Sequence, residues 1–155
     1  MKRLVCLVMA VLLVSVLLCA CTKEETTPTW QTTLPNTGVA LTVSGGEVTE
    51  STTRLFPDDG TQNYWEEPLL TVPAVTTLTL EGVQEEDVQI AFVFAWDNCY
   101  RVYDTSEPIV KVDYTQLDSP EGTLQYRFDT SYCFIVTVTT EQGTDEFILD
   151  CRRDI

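Results

Sequence analysis

Val88-Gln-Ile-Ala-Phe-Val-Phe-Ala-Trp96 is the stretch that decides the fold. Val88, Ile90, Phe92, Phe94 and Trp96 fall on one side of an extended chain, and Gln89, Ala91, Val93 and Ala95 on the other. A period of two with residues this large predicts a central strand with a packed face. Asp97-Asn98 is a turn pair leading into Tyr100–Tyr103. Downstream, Phe134, Val136 and Val138 alternate, as do Phe147 and Leu149. A turn at Gln142-Gly143 would pair Val138 with Phe147 and Val136 with Leu149, collecting the large residues on one side.

The rest of the chain after Gly38 has the same texture. Val39–Val43 reads as a strand followed by the turn pair Gly45-Gly46, and Val48–Leu55 as a weaker one. Phe56-Pro-Asp-Asp-Gly60 is a loop. Leu69–Val72 and Val75–Leu80 flank Pro73, while Ile109–Tyr114 and Leu124–Phe128 flank the turn Ser119–Gly122. No amphipathic helical run, heptad or internal repeat interrupts the series. About eight short strands at such spacing predict an all-β, antiparallel two-sheet sandwich. The ending Tyr132-Cys-Phe-Ile-Val-Thr-Val, with Phe147-Ile-Leu and a tryptophan at position 96, resembles the last strands of bacterial immunoglobulin-like domains. The resemblance implies an immunoglobulin-like sandwich over residues 38–155.

The N-terminus has a different character. Met1-Lys2-Arg3 is positive, and Leu4–Ala20 is a 17-residue apolar run. Such a start reads as a secretory signal peptide, the alternative being an uncleaved membrane helix at the short edge of what can span. Leu18-Cys19-Ala20-Cys21 resembles the lipobox of bacterial lipoproteins. That resemblance implies a diacylglyceryl group on the Cys21 thiol and cleavage before it, so residues 1–21 form signal and anchor. Several acyl chains on one residue hold a protein stably on a membrane. The whole arrangement is similar to small Gram-positive surface lipoproteins, a likeness that implies no particular activity. Residues 22–37 are rich in Thr with two prolines and read as an extended linker of roughly 20–25 Å. Trp30, inside it, would dock on the domain or face a partner.

Beyond residue 21 the chain holds seven basic and 24 acidic residues, a net −17. Such a charge repels nucleic acid and anionic headgroups, leaving the lipid anchor as the expected membrane contact. Histidine is absent, so a Ser-His or Cys-His nucleophile pair cannot form within one chain. No cofactor is implied. Paired carboxylates remain available, but 24 acids make any one pair indistinct in the sequence.

Three thiols remain in the mature chain: Cys99, Cys133 and Cys151. An exported protein can form disulfides. If the strands of the sandwich lie side by side in the order read above, all three cysteines gather near one end of a sheet. Alternation then favours Cys99–Cys133 with Cys151 a buried thiol; Cys133–Cys151 is the second pairing and needs a bulge. Three thiolates without histidine or close spacing make a poor zinc site, so no metal is expected. Acidic clusters at Asp58–Asp59, Glu85–Asp87 and Asp118–Glu121 lack the calcium-loop spacing and read as solvated turns. Tyr64 and Trp65, beside Glu66 and Glu67, are the candidate binding residues. Exposed rings there could stack on cell-wall glycan or anchor an envelope protein, or simply fold over the sandwich edge. Three functions follow as expectations: a non-catalytic, membrane-anchored binding module, a carboxylate hydrolase of cell-wall carbohydrate, or a carbohydrate-binding sensor.

Overall fold

Alternating strands need neighbours, and in this chain they find them in two sheets. The computed structural model describes residues 28–57, 63–96, 99–102 and 114–152, excepting the side chains of Trp96, Cys99 and Val102. Cys21 with its lipobox, the Asp58–Gly60 loop and residues 109–113 lie outside the described residues. Eleven strands are described: β1 (Thr29–Thr33), β2 (Ala40–Ser44), β3 (Thr49–Phe56), β4 (Trp65–Pro73), β5 (Val75–Glu81), β6 (Val88–Trp96), β7 (Cys99–Val102), β8 (Tyr114–Leu117), β9 (Thr123–Asp129), β10 (Cys133–Thr140) and β11 (Gly143–Arg152). A single 3₁₀ turn, Glu85–Asp87, precedes β6. Among the described residues no helix is long and apolar enough to cross a membrane.

One sheet is open and antiparallel, in the order β1-β2-β5-β9-β8. The other closes on itself as β10-β11-β4-β3-β7-β6. All-β architecture in two sheets is as expected; an immunoglobulin-like sandwich of eight strands is not what forms. The departure lies in two parallel ladders, β11 with β4 and β3 with β7, which carry the second sheet round until its edges meet. A barrel has no edges to protect.

The open sheet packs on one wall of the barrel. Leu41, Val43, Leu78, Leu80 and Phe128 meet Leu70, Val72, Phe134, Val136, Phe147 and Leu149 in the larger core. The smaller core fills the barrel with Leu55, Leu69, Val93, Tyr100, Cys133, Ile135 and Ile148, against Ala91. Both faces of β6 are therefore used. Its Val88, Ile90 and Phe92 pack towards the open sheet, while the smaller Ala91 and Val93 line the barrel. Six strands enclose little room, which suits the smaller side chains.

The stretch 22–37 is not all linker. Thr29–Thr33 forms β1 on the edge of the open sheet, paired with β2 from Thr29↔Ser44 to Thr33↔Ala40. Threonine is polar but β-branched, and strands accept it well. Trp30 does dock: its indole Nε1 donates to Glu50 Oε1 at 2.8 Å, and its ring packs on the larger core. Leu34 and Thr37 are buried. The following turn needs its glycine. Gly45 sits at φ +129°, and a Cβ there would lie 2.5 Å from the Val75 carbonyl oxygen.

The β10–β11 hairpin forms two residues away from the expected register. Val138 faces Asp145, Val136 faces Phe147 and Phe134 faces Leu149, around a loop of Glu141 and Gln142. A shift of two preserves alternation, so every large residue keeps its face. The observed register buries the Asp145 carboxylate beneath the β1–β2 connection. There it accepts from Asn36 N (3.2 Å), Thr37 N (2.8 Å) and Thr37 Oγ1 (2.7 Å).

Cys133 and Cys151 are both buried free thiols. Cys133 stands opposite Asp150, so Cys151 lies on the other face of the sheet, in the larger core. That alternation excludes the Cys133–Cys151 bridge. Cys99–Cys133 fails on backbone placement. β6 runs between β7 and β10, with Cys99 opposite Trp96 and Cys133 opposite Val93. Two strand spacings come to about 9–10 Å, beyond the about 7 Å between Cα atoms that a disulfide spans. A Cys21→Ser, Cys99→Ser variant of the mature chain therefore has an expected result with a thiol reagent. It gives no reaction while folded and two thiols in guanidinium, corresponding to Cys133 and Cys151. No thiol in either state would mean that the two are bridged.

Candidate functional site

Where β1 leans over the barrel, the two sheets leave a cleft of about 420 Å³. Trp30, Thr32, the Leu34–Asn36 turn, Glu50, Glu67 and Glu146 are among its lining. Glu50 shares the inter-sheet face of Leu70, whereas Glu67 and Glu146 share the barrel face of Leu69 and Ile148 at the cleft's end. Asp145 lies at the floor, its carboxylate already committed to Asn36 and Thr37. Among the described residues no Lys or Arg lines the cleft.

Glu67 and Glu146 come together through strand register. The parallel ladder begins at Ile148↔Leu69; two residues earlier, at the mouth of the barrel, the same register sets Glu146 beside Glu67. Burial raises the Glu67 carboxyl to about 6, and the neighbouring Glu146 charge adds to the rise. The nearby Trp65 indole, a donor to the charged form, partly opposes the shift. Thr137 Oγ1 donates to Glu146 Oε2 at 3.0 Å.

The sequence candidates Tyr64 and Trp65 take different positions. Both rings are exposed, at 48% and 39%. Tyr64 stacks on Phe56 with centroids 5.6 Å apart, and the Arg54 guanidinium lies 4.8 Å from its ring centre. Trp65 lies near the acid pair, close enough for its indole to favour the charged form of Glu67. Trp30, Glu50 and Glu146 are the members that sequence reasoning did not single out as a site. The 3₁₀ turn at Glu85–Asp87 uses its acid locally, Asp87 Oδ2 accepting from Gln84 N at 2.9 Å.

A second polar cluster lies inside the barrel. Asp150, only 4% exposed, accepts from Tyr100 Oη (2.8 Å), Cys133 Sγ (3.3 Å) and Arg152 Nε (2.7 Å). Burial, then the Asp150 carboxylate, pushes the Tyr100 and Cys133 protons to higher pKa; the same causes push Cys151 up to about 12. Asp150 also holds the Arg152 guanidinium above its usual range. Thiols so protonated are poor nucleophiles. This cluster is an internal tie that uses both oxygens of the carboxylate. Among the described residues, no three of His, Cys, Asp or Glu converge as a metal-ligand set. No family model, no curated protein and no solved structure matches this chain.

Proposed function

We propose that this chain is a membrane-anchored extracytoplasmic binding module, held by lipid on Cys21, that captures cationic ligands without transforming them. The observation that carries the reading is the cleft itself: Trp30 with Glu50, Glu67 and Glu146 in one lining and, among the described residues, no basic residue. Aromatic faces and carboxylates together recognise ammonium and guanidinium groups. In an exported setting such groups belong to envelope proteins and to amine-bearing wall polymers.

The carboxylate-hydrolase reading has one observation in its favour, the raised Glu67 carboxyl, which suits a general acid. Its geometry is unfavourable. Glycosidases hold their two carboxyls about 5–9.5 Å apart to admit a sugar carbon or a water. Glu67 and Glu146 are neighbours on adjacent paired strands, each close enough to act on the other's carboxyl, an arrangement that does not straddle a sugar.

Titration with arginine amide, read by tryptophan fluorescence, tests the cleft. Binding should tighten severalfold as pH rises through about 6 and Glu67 ionises. Glu67→Gln should bind more weakly and lose that pH dependence. Stability moves the other way: the folded carboxyl sits above its ordinary 4.5, so its contribution is full below 4.5 and is lost as pH passes about 6. Glu67→Gln removes this slope too. Tighter, pH-independent binding of a neutral chitooligosaccharide would favour a glycan-binding module instead, and its cleavage would favour the enzyme. For the anchor, Cys21→Ser should abolish fatty-acid labelling and release the protein from membranes. Unchanged labelling would reject it.

A further inference from the structure

The cleft has a strand along its rim, and the strand has an open side. β1 ends the open sheet, hydrogen-bonded to β2 on one side only. Among the described residues no backbone or side-chain hydrogen bond reaches the main chain of Thr29–Thr33 from elsewhere. Natural edge strands are guarded by charge, proline, a bulge or a covering segment. Thr29-Trp-Gln-Thr-Thr33 has neither charge nor proline and pairs in continuous register with β2. Among the described residues nothing covers this β-prone edge.

The direction of its side chains matters. Trp30 faces the barrel, bonded to Glu50 of β3, and Thr32 lies two residues on and lines the same cleft. A strand added beside β1 would alternate in the same way. Every second side chain would enter the space between the sheets, before Glu50 and towards the barrel mouth where Glu67 and Glu146 also line the cleft. Long cationic side chains match those carboxylates in charge and reach. A second copy of this chain fits badly, because it would bring its own acidic cleft and its own large negative charge to the contact.

We infer that β1 and the cleft together form a β-augmentation site for an extended partner segment carrying Lys or Arg at alternate positions. Main-chain bonds to β1 supply the affinity, and the carboxylates select the side chains. The inference rests on the cationic-ligand reading of the cleft and adds the backbone component.

The probes are acetylated, amidated Thr-Lys-Thr-Lys-Thr-Lys-Thr, its Glu counterpart, and two analogues of the Lys peptide. Each analogue is N-methylated at alternate residues, so that one or the other edge loses its donors. Calorimetry with the mature chain should show the Lys peptide binding at least about tenfold tighter than the Glu peptide, with a strong salt dependence. One N-methylated analogue should lose at least about tenfold and the other little, because only one edge meets β1. Glu67→Gln should weaken the Lys peptide and its tolerated analogue alike. Equal binding of the parent and both analogues would overturn the augmentation while leaving the cleft as a plain cation site. Failure of the Lys peptide to surpass the Glu peptide would overturn it as well, and the arginine amide titration then decides the cleft separately. A β1-to-β1 dimer by light scattering, abolished by no peptide, would assign the edge to self-association instead.

Discussion

Asp150→Ala should destabilise the domain by about 3 kcal/mol, lowering its melting temperature by roughly 10 °C. The carboxylate is the shared acceptor for Tyr100, Cys133 and Arg152 within the barrel. Arg152 contributes least, since its side chain is 63% exposed and water can replace the ion pair. Tyr100 is the larger matter. Its hydroxyl is buried, and without Asp150 it has no other protein acceptor among the described residues. A stranded buried donor costs about 1–3 kcal/mol, and the space left by the carboxylate adds to that. Asp150→Asn keeps an oxygen acceptor and should cost less, about 1 kcal/mol. Adding Tyr100→Phe to Asp150→Ala should recover part of the loss, because the stranded hydroxyl is then gone. Urea unfolding of the four variants measures all of this. An alanine variant as stable as the parent would mean that the barrel interior is wet.

Phe134→Ala acts on the other face of the same wall and should cost about 3–5 kcal/mol. Phe134 is 1% exposed. Its ring centre lies 5.0 Å from that of Phe128, 6.2 Å from Tyr114 and 6.4 Å from Phe92. It therefore joins the barrel wall to the open sheet. The void cannot close easily, because β10 is hydrogen-bonded on both sides, to β6 and to β11. Phe134→Leu should lose about 1.5 kcal/mol or less. Denaturant unfolding with an unchanged slope is the expected readout. A change in slope would point to altered compactness rather than a lost contact.

Much of this was legible in the sequence, and the reasons for the remainder are specific. The alternation in Val88–Trp96 announced a strand packed on its large side, and its small side carried the barrel unannounced. A period of two says that faces differ; it does not say what lies against each. The parallel pairing of Leu69 with Ile148 joins residues far apart in the chain, and no local pattern encodes it. The hairpin register was ambiguous by two residues because both choices keep Phe134, Val136 and Phe147 on one side. Asp145 and its bonds to Asn36 and Thr37 accompany the choice that formed. The Thr-rich stretch before Gly38 read as linker by composition, whereas Trp30 and Leu34 supplied enough apolar contact to order part of it. The disulfide expectation depended on strand neighbours, and β6 occupies the place between the two strands concerned. Glu50, Glu67 and Glu146 were hidden by abundance: with 24 acids, only the fold shows which three share a cleft.

The parallel ladder of β4 with β11 also governs when the molecule can acquire its shape. β11 supplies residues to both cores and is hydrogen-bonded to β10 and β4. Neither core is complete until residues 143–152 have left the ribosome. The preceding chain must wait as a loose polymer with its longest loop still to be closed, which makes for slow maturation and high topological cost. A polypeptide completed this late turns rigid in one step, when its last strand arrives to join the two cores.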